Sequence, residues 1–413
     1  MNKLHGNAVV GQSGGPTAAI NATLAGVIRG VIEINQRDGA IGKLYGMRNG
    51  IEGLMQERLV DLGIFARDEA KLSALELTPA AALGSCRKKL PKHEDDPAFY
   101  EQLLAVFKKY DIRYFFYIGG NDSMDTVSKL SAFVKASGYE MRVMGVPKTI
   151  DNDLEGTDHT PGFGSAAKYV ATTVSEIIRD AAVYTTKAVT IVEIMGRDAG
   201  WLTTSAALGR LANGEEPDLV YLPEKSFDMD EFIASTKKAL ERHPNVVVAV
   251  SEGIRFADGG YVGAGAQSGV KDVFGHQYLA GTGKALEYAV RDRIGCKVRS
   301  VELNVCQRCA AHLVSATDIA ESVCVGRAAA LAAEQGESGK MMLYRRISSA
   351  PYAYEIDCTD VHEIANKIKR VPDEYINAEH NGITDACLEY LRPLIEGERY
   401  PKYVNGLPEQ IIL

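Results

Sequence analysis

Short apolar runs that stop at Gly, Asp or Pro, each followed by a stretch of helical periodicity, recur along the 413-residue chain. Residues 7–11 run into Ser13-Gly14-Gly15-Pro16 and then a helical pattern over 18–34. Residues 114–118 stop at Gly119-Gly120, and a helical pattern follows over 124–136. Residues 142–146 stop at Pro147, 189–194 at Gly196-Arg197 and 246–250 at Ser251-Glu252. Runs apolar on both faces, alternating with amphipathic helices, specify parallel sheets covered on both sides. The chain therefore reads as doubly wound α/β, a class that binds ligands beyond the carboxyl ends of its strands.

Length allows two to three domains. The Gly-rich stretch 157–164 follows the most polar strand end and leads into a second α/β unit. Residues 258–275 read as a surface loop. Beyond 371–372 the chain turns polar and helical, with a last helical pattern over 384–396 and a short tail. No 20–50-residue period marks a solenoid. Net charge is −8, which disfavours nucleic acid and anionic membrane surfaces as partners. There is no apolar run long enough for a membrane span and no secretory leader at Met1–Gly6, and the seven Cys form no small secreted framework. A soluble, cytoplasmic protein is expected.

Some motifs are set aside. Gly263-Ala264-Gly265-Ala266 falls one Gly short of a dinucleotide fingerprint and follows no clear strand. Gly281-Thr282-Gly283-Lys284 lacks the upstream Gly of a phosphate loop and carries Ala285 where a hydroxyl would hold magnesium, so it reads as a helix N-terminus. Cys306 and Cys309 have no second Cys pair nearby and read as buried thiols.

Four strand ends carry candidate chemistry. Ser13-Gly14-Gly15-Pro16-Thr17 is either a tight turn or a place where backbone N–H groups meet an anion at a helix N-terminus. Gly119-Gly120-Asn121-Asp122-Ser123 is either an N-cap or a phosphate and metal cradle. Pro147-Lys148-Thr149-Ile150-Asp151-Asn152-Asp153 packs acids, a cation and a hydroxyl into one strand end, which suits a general base beside a charge-neutralising group. A turn there would separate Asp151 from Asp153. At Met195-Gly196-Arg197, Arg197 is either a surface residue or a bidentate phosphate ligand.

Taken in order, Ser13-Gly14-Gly15, Gly84-Ser85-x-Arg87, Gly119-Gly120-x-x-Ser123, Thr149-Ile150-Asp151-Asn152-Asp153, Met195-Gly196-Arg197 and Glu252 resemble the phosphofructokinase family from Gly11 to about Arg308. The resemblance implies two doubly wound α/β domains with a helical C-terminal extension. Residues 1–163, rejoined by about 307–350, would bind the phosphoryl donor. Residues 164–306 would bind the sugar phosphate, and 351–413 would pack on both. It implies transfer of a phosphoryl group to the 1-hydroxyl of fructose 6-phosphate, with Mg2+ as cofactor. Asp151 would be the general base and Thr149 would contact the transferring group. Gly14, Gly15 and Arg87 would hold the donor. Ile150, Met195, Gly196, Arg197, Glu252, Arg299 and Arg308 would hold the sugar phosphate.

Asp122 and Lys148 select the donor within this resemblance. Pyrophosphate-using members have Asp and Lys there, and ATP-using members Gly. A carboxylate at Asp122 would fill the room of an ATP α-phosphate and repel its charge, while Lys148 would stabilise the leaving phosphate. Pyrophosphate is the expected donor, with an ATP-dependent enzyme the alternative. A non-catalytic regulatory subunit is disfavoured by the intact Asp151, and a dehydrogenase by the missing fingerprint. Asn121 stands where the family usually has an Asp associated with magnesium, so Asn121 and Asp122 are both candidate ligands. Ala188 replaces an Arg that many members present to a neighbouring subunit, and Val305 replaces a His or Tyr common near Arg308. A homodimer or homotetramer is expected.

Overall fold

Isoleucine, Tyr and Phe crowd the run Ile112–Gly119, and this strand lies near the middle of the first sheet, with only Arg113 less than fully buried. The computed structural model describes residues 4–264, 281–365 and 367–413. The strands in chain order are β1 (Gly6–Gln12), β2 (Ile41–Met47), β3 (Leu59–Asp61), β4 (Ile112–Gly119), β5 (Arg142–Pro147), β6 (Ala188–Ile194), β7 (Leu219–Tyr221), β8 (Asn245–Ser251) and β9 (Lys297–Glu302). Then come β10 (Val314–Ser315), β11 (Lys340–Ser349), β12 (Tyr352–Asp360), β13 (Glu398–Arg399), β14 (Tyr403–Val404) and β15 (Leu407–Pro408).

A seven-stranded sheet has the order β12-β11-β5-β4-β1-β2-β3. It is parallel from β2 through β11, with antiparallel edges at β3 and β12. A four-stranded parallel sheet has the order β7-β8-β6-β9. In the first sheet the chain steps from β1 to β2 on one side and later returns to β4 on the other. That reversal opens a crevice beyond the ends of β1 and β4.

Helix Ala316–Glu334 brings the chain back to the first sheet by packing on helix Ile20–Arg37. The backbones touch: a Cβ on Gly26 would lie 2.2 Å from the Val323 carbonyl oxygen, so any side chain there would force the helices apart. Residues from 351 onward open not with a helix but with β12, whose Tyr352, Tyr354, Ile356 and Cys358 alternate with more polar or smaller residues on an antiparallel edge strand. Helix is confined there to Asp385–Leu391 and short 3-10 turns. Leu388, Leu391 and Leu394 are buried in one cluster with Phe163, Val170 and Trp201, which fastens the C-terminal segment to the second sheet. Among the described residues no helix is long and apolar enough to cross a membrane. Gly281 caps helix Thr282–Arg293, as expected of a helix N-terminus. Residues 265–280, which take in most of the expected surface loop and the Gly265-Ala266 part of the set-aside motif, lie outside the described residues.

Candidate active site

Loops leaving β1, β4 and β5 of the first sheet and β6, β8 and β9 of the second line one cleft of about 640 Å3. Its first flank starts at Gln12, a buried amide at the end of β1. Gln12 accepts from the Leu83 N–H at 2.9 Å and donates to Asn21 Oδ1 at 2.8 Å, which pins the loop carrying Arg87 against β1. Ser85 Oγ donates to the Gly14 carbonyl at 2.7 Å, and the Gly14 N–H donates to the Cys86 carbonyl at 3.2 Å. Gly14 has φ 76°, a left-handed conformation that suits glycine. Arg87 and Lys89 line the cleft next to this turn. Across from them, helix Asn121–Ser137 places Asn121 and Asp122 in its first turn, where the helix dipole favours an anion. Asn121 Oδ1 is buried and has no hydrogen-bond partner. Asp122 forms an ion pair with Lys89 at 3.2 Å.

The loop after β5 is the centre of the cleft. Lys148 is 3% exposed and donates to the Gly15 carbonyl at 2.5 Å. Burial pulls its pKa down to about 8, against the opposing pull of Asp151. Thr149 Oγ1 accepts from the Asp151 N–H at 3.1 Å and lies 3.5 Å from Asp151 Oδ2. Asn152, with φ 54°, turns the chain so that Asp151 and Asp153 separate while both still line the cleft. That turn is braced from the C-terminal segment. Lys369 Nζ donates to Asn152 Oδ1 at 3.2 Å and to the Thr157 and Asp158 carbonyls at 3.1 and 2.8 Å, and Asn152 Nδ2 donates to Tyr390 at 2.9 Å. Burial raises the Asp151 pKa, with Lys148, Arg197 and Arg308 restraining the rise. Asp153 is raised too, by burial and then by Asp151 beside it. A carboxylate whose basicity is raised by burial, in a cleft that also holds a fixed cation, can accept a proton from a ligand hydroxyl.

The second flank is richer in acid. The Gly196 N–H donates to Glu252 Oε1 at 3.4 Å, and the Glu252 N–H donates to the Ile194 carbonyl at 2.8 Å. Burial first, and Asp151 second, push Glu252 up to about 8. Glu193 accepts from the Gly283 N–H at 2.7 Å and is raised by burial to about 7. Arg197 Nε is buried without a hydrogen-bond partner. Carboxyl groups in this setting can take hydrogen bonds from hydroxyls, and Arg197 can take an anionic oxygen.

The cleft brings together Gly14, Gly15, Arg87, Asn121, Asp122, Lys148, Thr149, Ile150, Asp151, Met195, Arg197, Glu252 and Arg308. Gly196 lies just behind the lining, its N–H turned to Glu252. Arg308 reaches the first flank, since a Cβ on Gly15 would lie 3.2 Å from Arg308 Nη1. Arg299 is not brought in: it is exposed on edge strand β9 and lies outside the cleft lining. Cys306 and Cys309, expected to be buried, are exposed, because they sit on a surface 3-10 turn whose Gln307 takes the inward position. Among the described residues no group of three or more His, Cys, Asp or Glu is arranged to hold a metal.

Sequence reading missed Lys89, Glu193 and Gln307. Lys89 follows Arg87 by two positions in a segment without helix or strand, and both line the cleft. Glu193 is the lone acid in the apolar run of β6, a signal of a buried carboxylate with work to do. Gln307 holds the Met195 N–H at 3.2 Å and carried no signal beyond adjacency to Arg308.

The two sheets thus empty onto one cleft, cationic on one flank and acidic on the other. The chain matches the family described as Phosphofructokinase over residues 7–331 and belongs to it. It is 42% identical over 412 residues to a pyrophosphate–fructose 6-phosphate 1-phosphotransferase of Methylococcus capsulatus, covering 98% of this chain and 96% of that one. A protein of the same description from Halomonas elongata is 42% identical over 405 residues, covering 98% and 95%. The crystal structure of a pyrophosphate-dependent phosphofructokinase from Nitrosospira multiformis superposes with a TM-score of 0.88 at 39% identity, covering 98% of this chain and 96% of that one.

Proposed function

We propose that this chain transfers a phosphoryl group reversibly from pyrophosphate to the 1-hydroxyl of fructose 6-phosphate, giving fructose 1,6-bisphosphate and phosphate, a step of glycolysis. The observation that carries the choice of donor is the presence of Asp122 and buried Lys148 in the wall of the cleft that holds Asp151. Asp122 repels the extra phosphate of a nucleotide; like charges ~4 Å apart at an effective dielectric of ~20 cost about 4 kcal/mol. Lys148 neutralises the phosphate that leaves, which has no nucleoside to help bind it.

Phosphoryl transfer asks a protein mainly for positioning and charge neutralisation. Asp151 takes the proton of the sugar's 1-hydroxyl as its oxygen attacks phosphorus. Thr149, tied to Asp151, contacts the phosphoryl group in flight. Gly14, Gly15 and Arg87 hold the donor. Ile150, Met195, Gly196, Arg197 and Glu252 hold the sugar, and Arg308 sits where sugar and donor meet. Magnesium fits this chain: the unpartnered Asn121 Oδ1 and the Asp122 carboxylate are the oxygen donors that, with phosphate oxygens, this ion accepts. Asn121 and Asp122 would hold it, and it would neutralise charge on the transferring group.

Arg299, exposed on an edge strand, is offered to the sugar phosphate of a neighbouring copy, which supports a homodimer or homotetramer. Seven unpaired cysteines support a reducing, cytoplasmic setting. The test is fructose 1,6-bisphosphate formation with pyrophosphate or with ATP. Turnover with pyrophosphate supports the proposal, and turnover with ATP alone refutes the donor.

A further inference from the structure

Asp122 and Lys148 do not form a pair in this molecule. The Lys148 ammonium is fixed to the Gly15 carbonyl, and its strongest charged neighbours are Asp151, Arg308, Arg87 and Asp153. The cation that meets Asp122 is Lys89, at 3.2 Å. Lys89 stands at the cleft mouth with its side chain 49% exposed, against 34% for Asp122. An ion pair so exposed contributes little to folding, so its place in the cleft wall needs another reason.

We propose that Lys89 is a donor-specificity residue, resting on the assignment of pyrophosphate as donor. Lys89 balances Asp122 while the donor site is open. When pyrophosphate enters, the flexible Lys89 ammonium swings to the phosphate that will leave, joining Arg87 on one side while Lys148 holds the other. The geometry fits this task. Arg87 and Lys89 are two positions apart in a segment with no helix or strand, and both line the cleft next to Gly14 and Gly15. A lysine is a mobile point charge on a long stem, suited to exchanging one anionic partner for another. A nucleotide, needing the room Asp122 fills, gains nothing from the exchange.

The experiment compares wild type, Lys89→Gln and Lys89→Arg, each also in an Asp122→Gly background. The readouts are KM for pyrophosphate, KM for fructose 6-phosphate and calorimetric affinity for magnesium methylenediphosphonate, a donor analogue that cannot transfer. Lys89→Gln should weaken both donor measures about 10–100-fold, the range of a charge-assisted hydrogen bond. KM for the sugar should change less than about twofold, and Lys89→Arg should restore most of the loss. The loss should persist in the Asp122→Gly background, because Lys89 meets the donor itself. Disappearance of the effect there would reduce Lys89 to a counterion of Asp122 and overturn the proposal, as would unchanged donor affinity in Lys89→Gln. Wild type that turns over ATP and not pyrophosphate would instead overturn the functional assignment on which this rests.

Discussion

The two flanks of the cleft use opposite charge. On the flank built by the first sheet, the cations Arg87, Lys89 and Lys148, with Arg308 nearby, outnumber the one acid there, Asp122, which meets Lys89. On the flank built by the second sheet, Glu193, Asp198, Glu252 and Glu302 line the cleft together with Arg197. The difference matches the ligands assigned to them. Pyrophosphate presents only acceptor oxygens and negative charge, and so calls for cations and backbone N–H groups. A sugar phosphate presents hydroxyls along most of its length, which donate to carboxylates, and charge at one end only. The loop Lys148–Asp153 lies where the flanks meet, and its cation and its acids each serve one neighbour.

Removing the residue at the meeting point should cost the most. Asp151→Ala is expected to lower kcat by about 10²–10⁴-fold, the usual loss on removal of a general base, while fructose 6-phosphate still binds by calorimetry. Near-normal kcat would deny Asp151 that role and leave the flanks without a common centre.

Next come variants confined to one flank. Arg87→Ala should raise KM for pyrophosphate about 10–100-fold and spare KM for fructose 6-phosphate, and Glu252→Gln should do the reverse by a smaller factor. Both variants raising the same KM would erase the division between flanks.

The smallest effect concerns stability against pH. Glu252 in the folded chain keeps its proton up to about 8, whereas the unfolded side chain loses it near 4.5. The native state therefore binds more protons in between, so this group's contribution is present at the acid end and is lost as pH rises through about 8. The thermal midpoint of the free protein should fall between about pH 5 and 8, and Glu252→Gln should make that fall shallower. An equal slope in the variant would mean that Glu252 is not held neutral.

The flanks also differed in how far sequence revealed them. Most of the cationic flank is written in consecutive residues: Gly14-Gly15 after β1, Asp122 after β4 and Lys148 to Asp153 after β5 are polar interruptions of apolar runs, visible without a structure, whereas Lys89 sits in a segment with no such pattern. The acidic flank depends on pairings between distant segments. Nothing local to Gln307 says that it holds the Met195 N–H, and in the loop where the flanks meet nothing local to Lys369 says that it braces Asn152. Arg299 is expected at the sugar phosphate on the family resemblance alone, and strand alternation at a sheet edge turns it out of this chain's own cleft. Expected and observed strands of the sheets agree to within two residues at β1, β4, β5, β6 and β8, because runs apolar on both faces have few other places to go. β12 escaped notice for the opposite reason. Its alternating, half-exposed pattern lacks a continuous apolar run, although strict alternation after a turn at Pro351 was itself a strand signal.

The central claim is that the cationic flank is shaped for pyrophosphate and closed to a nucleotide by Asp122 with Lys148. Its most direct test is the ratio of kcat/KM for ATP to that for pyrophosphate, at saturating magnesium, in wild type, Asp122→Gly, Lys148→Gly and the double variant. The wild type should favour pyrophosphate, Lys148→Gly should lose pyrophosphate turnover without admitting ATP, and the double variant should shift the ratio toward ATP further than either single variant. A wild type that already prefers ATP, or a double variant with an unchanged ratio, would contradict the claim.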